Sequence, residues 1–259
     1  MSHKVLVIIL DGASFVFCNL FLWYMDNVKW FFHNFHRNML YIDDIPITPT
    51  ILHNFFTGKY SNEHGVFGFK TLDKPCSILG DYKGKYVWDI AIEHGFKVKI
   101  LNVPVKIPTV NINVDLYGMN WVDAWLPLKD NFESIVDRFH EIVIRNIVKE
   151  WDLFIVWYPI PDQAHHHFFQ TLHNEECLRK AFYWYNKAFK FARELITLSK
   201  PKYWIVLSDH GFSSDFEEVI AHGVKQHVHV RDGLVVSNTR ELPRKTIDVY
   251  RWIIDHLHQ

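Results

Sequence analysis

The sequence predicts an α/β fold with a mostly parallel central sheet and helices on both faces. Short apolar runs of strand length alternate along the chain with longer segments in which apolar residues recur at helical spacing. The first run, Lys4–Leu10, is continuously apolar after its lysine, which is typical of a strand covered on both faces. No repeat, linker or shift in composition divides the chain, so we expect residues 1–259 to form a single domain.

The first hundred residues contain three predicted strands and three predicted helices. Pro49 at the first helical position and Gly58 after the last mark the ends of one helix. In chain order we expect a strand at Lys4–Leu10, a helix at Asp26–His36, a strand at Leu40–Ile45, helices at Pro49–Thr57 and Tyr86–Glu93, and a strand at Lys97–Leu101.

The rest of the chain begins with a loop-rich stretch that contains three prolines. Residues 107–130 fall in this stretch and could form a small cap or a substrate loop. The aromatic stretch Phe15–Phe35 is expected to contribute mainly to the core. Beyond the loop we expect, in order, a helix at Phe132–Lys149, a strand at Leu153–Trp157, a helix at Glu175–Leu198, strands at Tyr203–Leu207 and Leu234–Val236, and a helix at Thr246–Leu257.

Composition excludes several classes of protein. The chain is 49% hydrophobic and 22% charged, and its net charge is −1, so it is neither a disordered chain nor one with a bulk attraction to nucleic acid or anionic membranes. Three cysteines without paired spacing favour reduced thiols and a cytoplasmic location. Residues 5–25 are long enough to span a bilayer, but Asp11 near their middle argues against a membrane helix.

Acidic residues and histidines follow several predicted strands. Asp11 follows the first strand, Asp162 and His166 follow Leu153–Trp157, and Asp209-His210 follow Tyr203–Leu207. In open α/β sheets, ligands bind outside the carboxyl ends of the strands, where loops can bring such side chains together. At helical spacing Asp162 and His166 share one face and could hold a metal ion. The alternative for Asp209-His210 is a loop with a capping aspartate and a solvated histidine. The alternative for Asp162 and His166 is a histidine-rich surface turn.

Two further segments could complete such a site. His222, His227 and His229 precede the strand at Leu234–Val236, and the residues alone do not decide which of them is a ligand. Thr48 leads into a predicted helix, where its hydroxyl could cap the helix or act as a nucleophile beside a metal. The amino end of that helix would also offer N–H groups to a phosphate.

The ordered set of motifs resembles the alkaline phosphatase superfamily, and within it the type I phosphodiesterase/nucleotide pyrophosphatase branch. The resemblance extends over nearly the whole chain. Its motifs are Asp11-Gly12, Thr48-Pro49, Thr57-Gly58-Lys59-Tyr60, His64-Gly65-Val66, Asn102-Val-Pro104, Asp162-x-x-x-His166, Ser208-Asp209-His210-Gly211-Phe212 and His229-x-x-x-Gly233.

The resemblance implies an alkaline phosphatase-like core with a minimal cap and a site for two metal ions. Asp162, His166 and a late histidine would hold one ion, and Asp11, Thr48, Asp209 and His210 the other. The late ligand corresponds best to His229, with His227 in reserve. The family places its nucleophile nine residues before the Thr of the Thr-Gly pair, which gives Thr48. A mixed Asp/His ligand set suits zinc, with manganese possible.

The sequence departs from the family pattern at two points. The proline follows Thr48 directly instead of standing two residues after it, which leaves Thr50 as a secondary candidate nucleophile. The asparagine that many members carry after the His-Gly pair is absent, and Lys70 is the candidate replacement. Trp121 and Trp125, in a loop-like stretch, are candidates for contact with the substrate.

The predicted function is hydrolysis of phosphodiester or nucleotide pyrophosphate bonds in small substrates through a phospho-threonine intermediate. Polymeric nucleic acid and membranes are not expected partners. A phosphomonoesterase or phosphotransferase on the same site is one alternative, and a catalytically silent metal-binding member of the fold is another. In the superfamily that the chain resembles, the nucleophile of sulfatases derives from a cysteine, so Thr48 at this position argues against a sulfatase.

Overall fold

The computed structural model describes residues 4–71, 77–120, 131–168, 175–212, 219–221, 224–226 and 229–259. The strands are β1 (Val5–Leu10), β2 (His36–Tyr41), β3 (Gly68–Thr71), β4 (Ser77–Leu79), β5 (Val98–Val103), β6 (Val110–Ile112), β7 (Leu153–Tyr158), β8 (Tyr203–Leu207), β9 (Gly211–Phe212), β10 (Val219–Ala221), β11 (Val224–Gln226), β12 (His229–Val230) and β13 (Asp232–Ser237). The α-helices are α1 (Phe15–Leu20), α2 (Asp26–Asn34), α3 (Thr48–Thr57), α4 (Ser61–His64), α5 (Val87–Glu93), α6 (Phe132–Ile147), α7 (Asp162–Phe168), α8 (Glu175–Ser199) and α9 (Asp248–Leu257).

The central sheet has the strand order β2-β13-β8-β1-β7-β5-β6. Four consecutive strands, β8, β1, β7 and β5, run parallel, with Val5 of β1 paired to Tyr203 on one side and Leu153 on the other. On one side β13 is antiparallel to β8 and β2 is antiparallel to β13, and on the other side β6 is antiparallel to β5. The predicted mostly parallel sheet is therefore confirmed.

Both faces of the sheet are covered, and β1 shows how. Alternate residues of a strand point to opposite faces. Leu6, Ile8 and Leu10 pack into a cluster with side chains of α1, α2, α6 and α8. Val5, Val7 and Ile9 pack into a second cluster, with side chains of α3, α5 and α9. All six β1 side chains are fully buried, which explains why this strand is continuously apolar.

The predicted strand at Leu40–Ile45 lies too late in the sequence. Strand β2 occupies His36–Tyr41, and the helix before it ends at Asn34 because Phe35 is already extended. Strand β2 forms an edge of the sheet, and all of its residues except Leu40 are exposed. An edge strand with so little buried surface carries no apolar run that would mark its start.

Two other predicted segments differ in part from expectation. In the aromatic stretch, Phe31 and Phe32 are fully buried, whereas Trp23 and Tyr24 are about 70% exposed. In the stretch 107–130, Val110–Ile112 form β6, and Asp115 N–H donates to Asn146 near the end of α6. Asn113 Nδ2 also donates to the carbonyl oxygen of Val98, the first residue of β5, so this part of the stretch lies at the amino end of the sheet. Among the described residues, no helix is long and apolar enough to cross a membrane.

Candidate active site

The acidic residues predicted at strand ends do meet at one edge of the sheet. Asp11 follows β1 directly, Asp162 begins α7 shortly after β7, and Asp209 lies two residues beyond β8. Since β8, β1 and β7 are parallel neighbours, their carboxyl ends lie side by side. Thr48, the first residue of α3, is brought to the same edge and is 6% exposed.

A first cluster consists of Asp11, Asp209, His210 and Thr48. Ligand atoms of the two aspartates and the histidine all lie within 4.8 Å of one another. His210 Nε2 is 3.2 Å from Asp11 Oδ1 and 3.6 Å from Asp209 Oδ2. The Thr48 hydroxyl lies 3.3 Å from Asp11 Oδ1 and 3.4 Å from His210 Nε2. A hydroxyl is therefore held beside three groups that can bind a metal.

A second cluster consists of Asp162, His166 and His229. Asp162 Oδ2 is 3.3 Å from His166 Nε2, across one turn of α7, and its Oδ1 is 3.4 Å from His229 Nε2. His229 belongs to β12, which pairs with β9 just after His210. The predicted i, i+4 relation of Asp162 and His166 is thus observed.

Backbone hydrogen bonds tie the two clusters together. Asp162 N–H donates to Asp11 O at 2.9 Å, and Gly12 N–H donates to Asp209 Oδ1 at 3.3 Å. Gly12 has a φ of +71°, and a Cβ at this position would lie 2.8 Å from Asp162 Cβ. Glycine is required here both for the turn and for the close approach of Asp162.

The orientation of two histidines leaves their Nε2 atoms facing the clusters. His210 Nδ1 is 3.1 Å from the carbonyl oxygen of Gly211, and His229 Nδ1 is 3.1 Å from that of Pro46. A carbonyl can only accept, so each Nδ1 carries the proton and each Nε2 presents its lone pair when the ring is neutral. This arrangement is usual for histidines that bind metals.

Electrostatic interactions in the site favour a cation. Burial raises the pKa of Asp11 well above its ordinary value, and Asp209 and Asp162 raise it further. Burial acts on Asp162 in the same direction, but His166 and His229 outweigh it and hold the pKa of Asp162 well below its ordinary value. Three buried carboxylates this close repel one another, so a bound cation would stabilise the group.

The pKa values of His210 and His229 are shifted in opposite directions. Burial lowers the pKa of His210, but Asp209 and Asp11 outweigh burial and raise it to about 10. Burial, followed by the positive charge of His210, lowers the pKa of His229. A proton on His210 thus partly neutralises the carboxylates, in the place where a metal cation would do so more fully.

Three buried polar atoms show that a metal would fit. Asp162 Oδ1, Asp209 Oδ2 and His229 Nε2 make no hydrogen bond within the described part of the chain. Buried polar atoms normally have partners, because an unsatisfied one is destabilising. Asp162 and His229 belong to the second cluster and Asp209 to the first, so each cluster has at least one unsatisfied atom of a kind that binds divalent cations such as zinc.

The geometry distinguishes the two candidate nucleophiles. Thr48 Oγ1 contacts the first cluster, whereas Thr50 is fully buried and its Oγ1 has no hydrogen-bond partner among the described residues. Lys70 is exposed on β3. Three of the predicted residues, Trp121, Trp125 and His227, lie outside the described residues, as does His222.

Sequence reasoning missed the residues that support the turn after β1. Tyr185 of α8 and Asp232 of β13 hydrogen-bond to this turn, yet they lie more than 170 residues from it. Nothing local distinguishes Tyr185 from the other buried residues of its helix. Asp232 had a weak signal, as an acid just before Gly233 and an apolar strand.

Comparisons with known proteins agree with this description. The model of the family described as type I phosphodiesterase/nucleotide pyrophosphatase matches residues 5–254. No curated protein sequence matches the chain significantly.

Solved structures share the fold at low sequence identity. Murine ectonucleotide pyrophosphatase/phosphodiesterase 5, in an inactive variant in complex with AMP, is 12% identical, with a TM-score of 0.60 over 99% of this chain and 95% of that one. A putative sulfatase from Bacteroides thetaiotaomicron is 10% identical, with a TM-score of 0.69 over 100% and 71%. Phosphonoacetate hydrolase from Sinorhizobium meliloti, in complex with phosphonoformate, is 13% identical, with a TM-score of 0.56 over 82% and 57%.

Proposed function

Because this chain belongs to the type I phosphodiesterase/nucleotide pyrophosphatase family, we propose that it hydrolyses phosphodiester or nucleotide pyrophosphate bonds in small substrates, with Thr48 as the nucleophile. The observation that carries the proposal is the position of the Thr48 hydroxyl, 3.3 Å from Asp11 and 3.4 Å from His210. The AMP complex of the murine phosphodiesterase supports a nucleotide as the substrate class.

The proposed metal ligands are the two clusters. Asp162, His166 and His229 would hold one divalent ion, and Asp11, Thr48, Asp209 and His210 the other. The mixed carboxylate and imidazole donors suit zinc best, with manganese as the alternative. Bound divalent cations lower the pKa of a coordinated hydroxyl and stabilise negative charge on phosphoryl oxygens.

The residues of the chain perform the remaining steps of the proposed reaction. The Thr48 hydroxyl donates its hydrogen bond to Asp11 Oδ1, so this carboxylate is the nearest acceptor for the proton. Thr48 Oγ1 forms a bond to phosphorus as the bond to the leaving group breaks, which gives a phospho-threonine. Water then attacks the same phosphorus as the Thr48 Oγ1–P bond breaks, one water proton restores the Thr48 hydroxyl, and the proton held by Asp11 passes to the first leaving group.

Burial of the site strengthens the electrostatic effect of its charged groups. Asp209 and His210 are fully buried and Asp11 is 2% exposed, so bulk water screens their charges poorly. The same carboxylates would repel an anionic phosphate unless cations neutralised them. Activity should therefore depend on divalent metal.

The experiment that tests the function is a paired hydrolysis assay. A nitrophenyl nucleotide diester and nitrophenyl phosphate are compared, each with purified protein supplied with zinc or manganese. We expect faster release of nitrophenol from the diester, and loss of this activity after chelation. Faster hydrolysis of the monoester would support the phosphomonoesterase alternative, and binding of metal without either activity would support the catalytically silent one.

A further inference from the structure

The carboxylate of Asp11 is presented by the turn 11–14, which joins β1 to α1. We propose that Tyr185, a residue of α8 that is not among the proposed metal ligands, is a positioning residue that fixes this turn and thereby orients Asp11 for metal binding. The inference rests on the proposed function.

The Tyr185 hydroxyl bridges the two sides of the turn. It donates a hydrogen bond to the carbonyl oxygen of Gly12 at 3.2 Å and accepts one from the N–H of Ser14 at 3.2 Å. One oxygen thus satisfies a buried acceptor and a buried donor two residues apart. Removing it would leave both backbone groups without these bonds, which is unfavourable in a buried turn.

Packing fixes Tyr185 itself. Its side chain is fully buried, the Phe17 ring lies 4.5 Å from its ring, and the His165 ring meets it edge-on at 5.6 Å. Helix α8, which carries it, contributes side chains to the larger core cluster. Because a tyrosine has few rotatable bonds, a packed ring also fixes its hydroxyl.

The turn that Tyr185 holds contacts groups of both clusters, and most of these contacts are to the first cluster. Asp11 Oδ1 contacts Thr48 and His210. The next residue, Gly12, donates its N–H to Asp209 Oδ1. The carbonyl oxygen of Asp11 accepts from Asp162 N–H. A change in the backbone conformation of Gly12 would therefore disturb the first cluster most directly.

A second contact holds the far side of the turn independently. Asp232 accepts hydrogen bonds from the Ser14 hydroxyl and from Val16 N–H, and Ser14 also caps α1 through Phe17 N–H. These bonds do not involve Gly12. Loss of the Tyr185 hydroxyl should thus release Gly12 while the start of α1 stays in place.

The test compares Tyr185→Phe with Tyr158→Phe. Tyr158 is also fully buried, but its hydroxyl bonds to His140 Nδ1, which belongs to α6. Chelator-stripped proteins are titrated with zinc in a calorimeter. We expect Tyr185→Phe to raise the Kd of one of the two zinc ions about 10–100-fold, as for other residues that orient metal ligands, and to leave the other Kd unchanged. Tyr158→Phe should keep both wild-type values.

Hydrogen exchange without metal supplies a second readout. We expect the Ser14 amide to exchange faster in Tyr185→Phe, and to be unchanged in Tyr158→Phe. Wild-type zinc affinities in Tyr185→Phe would overturn the inference, and so would equal losses of affinity in both variants. If the wild-type chain bound neither zinc nor manganese, the proposed function would fail, and unchanged exchange at Ser14 would then overturn the positioning role separately.

Discussion

The imidazole rings of His210 and His229 stack face to face, with centroids 3.8 Å apart and planes 12° from parallel. His210 belongs to the cluster with Asp11 and Asp209, and His229 to the cluster with Asp162 and His166. The pairing of β12 with β9 brings the second histidine to the first. The two candidate metal sites are therefore in direct contact through these two histidine rings.

This arrangement predicts that His229→Ala removes one of two bound metal ions. The variant loses the only late histidine that the described part of the chain places beside Asp162, at 3.4 Å. We expect about one zinc ion per chain instead of two, measured by elemental analysis after dialysis. His227→Ala is the matched control and should retain both ions. The reverse result would identify His227 as the ligand.

Thr48→Ala should keep bound metal and lose turnover. Removal of a nucleophile typically lowers kcat by roughly 10³-fold or more, whereas the carboxylates and histidines that bind metal stay in place. Rates on a nitrophenyl nucleotide and zinc content are measured together. Thr50→Ala is the control, since Thr50 Oγ1 has no hydrogen-bond partner among the described residues, and it should retain activity. Wild-type activity in Thr48→Ala would refute the nucleophile assignment.

Gly12→Ala should abolish zinc binding at one site for a steric reason. A Cβ at residue 12 would lie 2.8 Å from Asp162 Cβ and 3.2 Å from its Oδ1. Gly65 has nearly the same φ, +74°, but a Cβ there meets nothing within 4 Å. Both alanine variants should lose roughly 1–2 kcal/mol in the free energy of unfolding because an L residue is strained at positive φ, and Gly12→Ala should lose more because of the clash. Only Gly12→Ala should lose zinc, and equal zinc contents would contradict this prediction.

Acid should destabilise the fold partly through His53. Burial lowers the pKa of His53 to about 4, from an ordinary value of 6.5. Its ring nitrogens lie 2.5 Å from the carbonyl oxygen of Pro49 and 3.0 Å from the Tyr86 hydroxyl. The unfolded chain takes up the proton near pH 6.5 and the folded chain only near pH 4. The stabilising contribution of neutral His53 is thus complete above the first value and falls towards the second.

Urea unfolding between about pH 7 and pH 4.5 measures this effect. We expect the free energy of unfolding to fall less steeply with acid in His53→Gln than in the wild-type chain. His36→Gln, at an exposed position of β2, should keep the wild-type slope. An unchanged slope in His53→Gln would show that other groups account for the acid sensitivity.

Much of the fold could be predicted because its signals are local. The inner strands are buried on both faces and therefore read as continuous apolar runs, as at Val5–Leu10 and Leu153–Tyr158. The exposed edge strand His36–Tyr41 carries no such run, and its predicted position was wrong. The short strands β9 and β12, which pair through only two residues each, could not be predicted from any periodicity.

The sequence was enough to predict that Asp11, Asp162, Asp209 and His210 share one edge of the sheet. That prediction needed only the ends of three strands, since the carboxyl ends of neighbouring parallel strands are adjacent. The stacking of His229 on His210 and the contact of Tyr185 with the turn at Gly12 are seen only in the folded chain. These contacts depend on how a short strand pair and a long helix pack against the sheet, and packing between distant segments leaves no periodic pattern in the chain.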